Sequence, residues 1–241
     1  MTSIAPVAVT VPTASGQMPA LQWLPPTGTG PGLVMVQEIF GVSPYIQARA
    51  ADLAALGYVV LAPELYWRLP DRTIDESRED VLQQGMALAG QVDWDTTVSD
   101  TQEALHHLRA QPEVVGGAGL IGFCFGGGLA FSVAARDKPD VLVSYYGSAL
   151  PGLLDLAEQV SAPSLHHFGL ADAFIPLVEV QRIEAAVTKQ PGVTFETYAG
   201  ANHAFDNPQL SDLHHPEASQ QAWRKTVAFL AERLPTAHLA A

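Results

Sequence analysis

Cysteine is almost missing from this chain: Cys124 is the only one in 241 residues. A single thiol excludes an internal disulfide framework and suits a reducing compartment, so a cytoplasmic location is expected. Basic residues are scarce as well. Twelve Lys and Arg stand against 25 Asp and Glu, a net charge of -13. No basic run could track a phosphate backbone, so nucleic acid is not an expected partner, and the acidic excess reads as a solvated surface. Long apolar runs are absent too. Nowhere do about 18 consecutive apolar residues occur, so no segment is expected to span a bilayer. The N-terminus, "MTSIAPVAVTVPTASG", has no basic region leading into an unbroken apolar stretch and alternates like a strand, so no signal peptide is read there.

What is present is a chain for a compact fold. Hydrophobic residues at 48% and charged residues at 15% carry too much apolar content for disorder, and the length suits one domain over residues 1–241. "IAPVAVTVP" and "MPALQWLP" read as an N-terminal hairpin at a sheet edge, closed by the turn residues of "PPTGTGPG". "GLVMVQE" is a short continuous apolar run of the kind buried on both faces of a parallel sheet. Ser43 as N-cap, Pro44 at the first helical position and Gly57 past the end bracket a helix over "YIQARAADLAAL". Strands and helices then alternate to the end. The spacing predicts an α/β fold, a mostly parallel sheet with helices on both faces. The final helix, through "QQAWRKTVAFLAERL", places Trp223, Val227, Leu230 and Leu234 on an expected core stripe, and "PTAHLAA" reads as a frayed tail.

The thiol lies in "GLIGFCFGGGLAF", where an apolar strand ends at Phe123 and a helix begins directly after Cys124. Gly122-x-Cys124-x-Gly126 is the pattern of a nucleophile elbow, with Cys in place of Ser; small flanking residues permit a sharp turn that lifts the side chain above the strand ends. The same place at a helix N-terminus favours a thiolate and an oxyanion. Two other readings fit the elbow alone: a small buried hydrophobe, or a Gly-rich phosphate turn. No Walker lysine and no G-x-G-x-x-G accompanies it. Two later residues add weight. Asp172 in "GLADAFIP" and His203 in "YAGANHAF" each follow an expected strand, in the chain order nucleophile, acid, histidine. The remaining histidines, His106, His107, His166, His167, His214, His215 and His238, come mostly in adjacent pairs that do not share a face, so no metal site and no cofactor is expected.

"QEIFGV", "PELY", "GFCFGGGLAF", "YYG", "GLADAFIP" and "AGANHAF" together resemble the dienelactone hydrolases (carboxymethylenebutenolidases), from about residue 30 to residue 234. The resemblance implies an α/β-hydrolase fold and a Cys-His-Asp triad that opens enol-lactones through a thioester. It makes Cys124 the nucleophile, His203 the base and Asp172 the group that orients the imidazole. Glu38 matches the family's additional carboxylate, which contacts the resting thiol. The oxyanion hole is expected from the backbone N–H groups of Ile39 and Phe125.

The chain departs from the family at two positions. The family holds its lactone's carboxylate with two arginines, and here Asn207, preceded by Asp206 near the expected mouth, and Leu82 stand in their places. Arg78, Arg72 or Arg68 could supply a replacement from "YWRLPDRTIDESRED", while Trp67, Trp94, Phe125 and Phe205 could line an apolar acyl pocket. The expected activity is hydrolysis of small esters or lactones that are neutral or partly apolar, by a monomer or weak homo-oligomer. A non-catalytic small-molecule receptor and a thiol redox sensor are the alternatives from other classes.

Overall fold

The computed structural model describes residues 4–72, 74 and 78–237. His238 and the last residues of the "PTAHLAA" stretch therefore lie outside the described residues. Eight strands form one sheet in the order β1-β2-β4-β3-β5-β6-β7-β8. The N-terminal hairpin, β1 (Val7–Thr13) and β2 (Gly16–Trp23), lies at one edge, with β1 outermost and β2 running antiparallel to β4 (Val59–Pro63). From β4 onward every pairing is parallel: β4 with β3 (Gly30–Val36), β3 with β5 (Val114–Phe123), then β6 (Leu142–Tyr145), β7 (Ser164–Gly169) and β8 (Val193–Tyr198). β3, β4, β6 and β7 are buried along their whole length, as strands covered on both faces are.

α1 (Pro44–Ala55) has the ends its sequence predicts. Ser43 accepts from the Ile46 N–H, Pro44 occupies the first turn, and Gly57 takes φ +106°. α2 (Val81–Ala89) buries only Gly85 and Leu88, with Gly85 close against Ile39 and Phe40. α3 (Trp94–Arg109) is capped by Asp93, which accepts from Thr96 N–H at 2.9 Å. α4 (Phe125–Arg136) is buried almost throughout, and α5 (Leu177–Val187) follows β7. α6 (Pro216–Arg233) begins one turn before the expected helix, with Pro216 at its first position and the His215 ring accepting from Ala218 N–H. Its buried stripe is Ala218, Ala222, Thr226, Phe229 and Leu230; Leu234 is buried just past its end, while Trp223 and Val227 flank the stripe half-buried. No helix of the described residues is long and apolar enough to cross a membrane.

Candidate active site

The sheet order decides where a ligand can reach this molecule. The chain runs from β3 to β4 on one side and from β4 back to β5 on the other, so the connections after β3 and β5 leave in opposite directions and part over the strand ends. Glu38 follows β3 and Cys124 follows β5 at that point, while Asp172 and His203 come from the connections after β7 and β8.

Cys124 has φ 52° and ψ -114°, a conformation uncommon outside glycine that costs on the order of 1–3 kcal/mol. Close packing holds it there. Cys124 N–H donates to Tyr145 O at 3.0 Å, and Cys124 O accepts from Gly127 and Ser148 N–H at 3.0 and 3.1 Å. The glycines are a steric requirement: a Cβ on Gly122 would lie 2.1 Å from Gly126 O, and one on Gly126 would lie 2.3 Å from Val36 O. The helix can therefore start immediately above the strand, with sulfur at its N-terminus.

Sulfur meets His203 Nε2 at 3.0 Å, and His203 Nδ1 meets Asp172 Oδ2 at 2.8 Å. All three residues are buried. The second carboxylate oxygen of Asp172 accepts from Phe174 and Ile175 N–H at 2.8 Å each, which fixes its plane. Asn202 Oδ1 ties the two loops together by accepting from Ala173 N–H and His203 N–H at 2.9 and 2.7 Å. Burial works against a cationic His203, but the charge of Cys124 as thiolate and the Asp172 carboxylate outweigh it and hold the imidazole up to about 10.

Glu38 lines the same cavity but has different partners from those the resemblance implies. The thiol is bonded to His203, whereas the Glu38 carboxylate accepts from Asn207 Nδ2 at 2.8 Å and from the Tyr146 hydroxyl at 3.2 Å. Burial pushes Glu38 up to about 7, against the downward pull of Asn207, His203 and Tyr146. Behind it runs a polar chain that sequence reasoning did not find. Tyr45 lies 3.4 Å from the Tyr146 oxygen and donates to Asp206 at 2.6 Å; Asp206 is bound bidentately by Arg49 and also by Ser219. The "YYG" motif contained Tyr146, yet its partners lie far away along the chain.

The cavity over sulfur measures about 90 Å³, and its walls include Ile39, Phe40, Leu82, Met86, Leu210 and Leu213. Of the expected substrate contacts, Leu82 lines it. Asn207 is buried and spent on Glu38, and Asp206 is fully buried against Arg49 instead of standing at a mouth. Phe205 is a core residue packed on Tyr145, Tyr146 and Tyr198, because strand ends crowded with tyrosines offer it an apolar place. Trp94 packs edge-on against the Phe125 ring, outside the cavity, and Trp67 donates to Asp100 at 2.9 Å. The arginines are engaged elsewhere as well. Arg78 clamps Asp80 at 2.7 and 3.0 Å and borders an outer groove, Arg68 pairs with Asp100, and Arg72 donates to Trp67 O. Among the described residues, the cavity lining includes no lysine or arginine.

His166 and His167 sit in the core, where burial lowers both, His166 to about 4. Among the described residues no group of three or more His, Cys, Asp or Glu could hold a metal ion.

Comparison with known proteins agrees with this geometry at the level of family. The model of the dienelactone hydrolase family matches residues 18–234. Carboxymethylenebutenolidase of Pseudomonas sp. (strain P51) is 34% identical over 222 residues, covering 91% of this chain and 92% of its own. That of Pseudomonas putida is 35% identical over 187 residues, 77% of this chain and 79% of its own. A crystal structure from Klebsiella pneumoniae, assigned as a dienelactone hydrolase, superimposes with a TM-score of 0.80 at 27% identity, over 96% of this chain and all of the other. On sheet order, elbow and sequence alike, the chain belongs to the dienelactone hydrolase family and has the α/β-hydrolase fold.

Proposed function

We propose that the protein hydrolyses small uncharged esters or lactones by covalent catalysis at Cys124. The observation that carries this reading is the unbroken chain from sulfur through His203 to Asp172 at the floor of a cavity. The Cys124 thiolate attacks the acyl carbon, and the carbonyl electrons move onto oxygen, which the backbone N–H groups of Ile39 and Phe125 receive. Collapse expels the alkoxide, which takes the proton from His203 and leaves a thioester on Cys124; in a lactone the alcohol stays attached to the acyl chain. Water then gives a proton to neutral His203 and adds to the thioester, and a second collapse releases the acid and restores the thiolate beside the imidazolium. Asp172 keeps the ring in the tautomer that presents Nε2 to sulfur and offsets its charge. A nucleophile that must stay reduced suits a cytoplasmic setting.

The cavity walls support the substrate class. At about 90 Å³ the cavity is well below the roughly 300–1,000 Å³ of pockets for drug-sized ligands, so the group it accepts is small. Among the described residues its lining offers a substrate carboxylate no lysine or arginine, the His203 ring is committed to Cys124 and Asp172, and Glu38 faces the same space. The test is turnover of a matched panel (neutral aryl esters, neutral lactones and a carboxylate-bearing lactone with its methyl ester) by wild type and Cys124→Ala, with mass spectrometry of the Cys124 peptide during turnover. Activity confined to wild type, an acyl adduct on Cys124 and preference for the methyl ester are expected. Turnover by Cys124→Ala would remove the nucleophile, preference for the acidic lactone would remove the selectivity, and an inert panel would favour a receptor or redox protein.

A further inference from the structure

The buried chain behind Glu38 contains one hydroxyl whose proton has two places to go. Tyr146 has acceptors on both sides, Glu38 Oε1 at 3.2 Å and the Tyr45 oxygen at 3.4 Å. Its neighbours fix which of them can donate. Tyr45 commits its own proton to Asp206 Oδ2 at 2.6 Å. Asp206 in turn takes two bonds from the Arg49 guanidinium, at 2.8 Å each, and one from Ser219 at 2.7 Å, so both its oxygens act as acceptors and Tyr45 presents only lone pairs to Tyr146.

Asn207 fixes the other end. Its Oδ1 accepts from Gln209 N–H at 2.9 Å, which sets the amide so that Nδ2 donates to Glu38 Oε2 at 2.8 Å. A proton on Glu38 cannot face that donor and must sit on Oε1, toward Tyr146. The Tyr146 ring has little room to move, with the rings of Phe123, Tyr145, Phe205 and His203 around it, its N–H on His167 O at 2.7 Å and φ at 37°. Only its hydroxyl proton is free to rotate.

We propose that Tyr146 is a positioning residue for Glu38, its hydroxyl a two-position switch that donates to Glu38 when the carboxylate is ionised and to Tyr45 when Glu38 carries a proton. Both arrangements satisfy every member of the chain, so a carboxyl in a closed apolar site can hold or release a proton without orphaning a partner. The titratable and charged groups around Glu38 are Cys124 and His203 at the cavity, and Tyr146, Tyr45, Asp206 and Arg49 behind it. Burial, which holds Glu38 up to about 7, leaves both arrangements populated near neutrality.

The two tyrosine hydroxyls then have opposite effects. Removing the Tyr146 hydroxyl takes a charge-assisted donor from ionised Glu38 and only a weaker, neutral acceptor from protonated Glu38, so it raises the titration midpoint. Removing that of Tyr45 takes the acceptor that the protonated state needs and lowers it. The test is carboxyl-carbon NMR titration of protein labelled at glutamate, with Glu38→Gln identifying the resonance, for wild type, Tyr146→Phe and Tyr45→Phe. Shifts of opposite sign, each of about one pH unit, are expected. Shifts of the same sign, or none, overturn the switch. Should Tyr146→Phe fail to fold, the sign of the Tyr45→Phe shift still decides: the switch requires a fall, whereas freeing Asp206 of its Tyr45 bond strengthens a charge that pushes Glu38 up. The titration needs no turnover, so failure of the hydrolase reading is a separate result.

Discussion

Glu38→Gln should remove a pH dependence from stability, with little effect in acid and a gain that grows toward neutrality. An exposed glutamate titrates near 4.5, and burial raises Glu38 to about 7 in the folded protein. The sign follows from proton binding. Between these values the folded state holds a proton that the unfolded state has lost, so stability is fully present below about 4.5 and declines as pH rises through about 7. At about 1.4 kcal/mol per pH unit, that interval corresponds to about 3 kcal/mol. Glutamine mimics the protonated acid, accepting from Asn207 and meeting Tyr146 with its amide, and does not titrate. The unfolding free energy of Glu38→Gln minus that of wild type should therefore rise by about 3 kcal/mol across the window. Urea unfolding at a series of pH values measures it, and contributions from other titrating groups cancel in the difference if the denaturant slopes agree. A difference that stays flat would mean that Glu38 is solvated or ionised throughout, and would refute the electrostatic account of the site.

Further expectations concern individual contacts. Asp172→Asn should cost on the order of 10³–10⁴ in kcat, and histidine NMR should find His203 titrating well below its present value, since a carboxylate that raises it is gone. Leu82→Arg would put a cation in the cavity wall and shift kcat/KM toward a carboxylate-bearing lactone over its methyl ester by roughly 10- to 100-fold, as a charge-assisted bond of about 1.5–3 kcal/mol implies. Asn207→Arg should lower the Glu38 midpoint toward its ordinary value in the labelled-carboxyl titration. Arg49→Met would strand the fully buried Asp206 carboxylate and should cost about 3–5 kcal/mol in thermal or urea unfolding.

The sequence carried what depends on neighbours along the chain. α1 was legible from Ser43, Pro44 and Gly57, because capping is a local rule, and β3 was legible as a continuous apolar run. α6 was misjudged where local rules are weak: its N-cap is a histidine, and its buried face is built on small residues, Ala218, Ala222 and Thr226, with Trp223 at the flank. The residues of the site that could be named from sequence each sit directly after a strand, a place that motif and order reveal. Tyr45, Arg49 and Asp206 could not be found that way, and Tyr146, although it directly follows β6, gave no sign of its partners. Their contacts join residues about a hundred or more positions apart, as with Tyr45 and Asp206, and no periodicity records that. Phe205 was misplaced for a related reason, since an aromatic beside a histidine reads the same whether it turns to the cavity or to the core.

The departures at residues 82 and 207 act together through Glu38. In the family pattern residue 207 is an arginine, and a guanidinium about 4 Å from a carboxylate is worth about 4 kcal/mol at an effective dielectric of roughly 20. That exceeds the net of about 3 kcal/mol by which its surroundings, burial chief among them, disfavour the Glu38 charge, so an arginine would hold Glu38 ionised. Asn207 donates a bond of the same kind without the charge, and burial wins. The cations nearby do not restore the balance: the pull of His203 is already included in the value near 7, and Asp206 takes the Arg49 guanidinium bidentately and itself pushes Glu38 upward. A carboxylate-bearing substrate thus loses twice: it finds no cation at residue 82 or 207, and above about pH 7 it meets an ionised Glu38. A neutral ester loses nothing by either change. The proposed selectivity for uncharged substrates and a carboxyl poised near neutrality are, on this account, two consequences of the same missing charge.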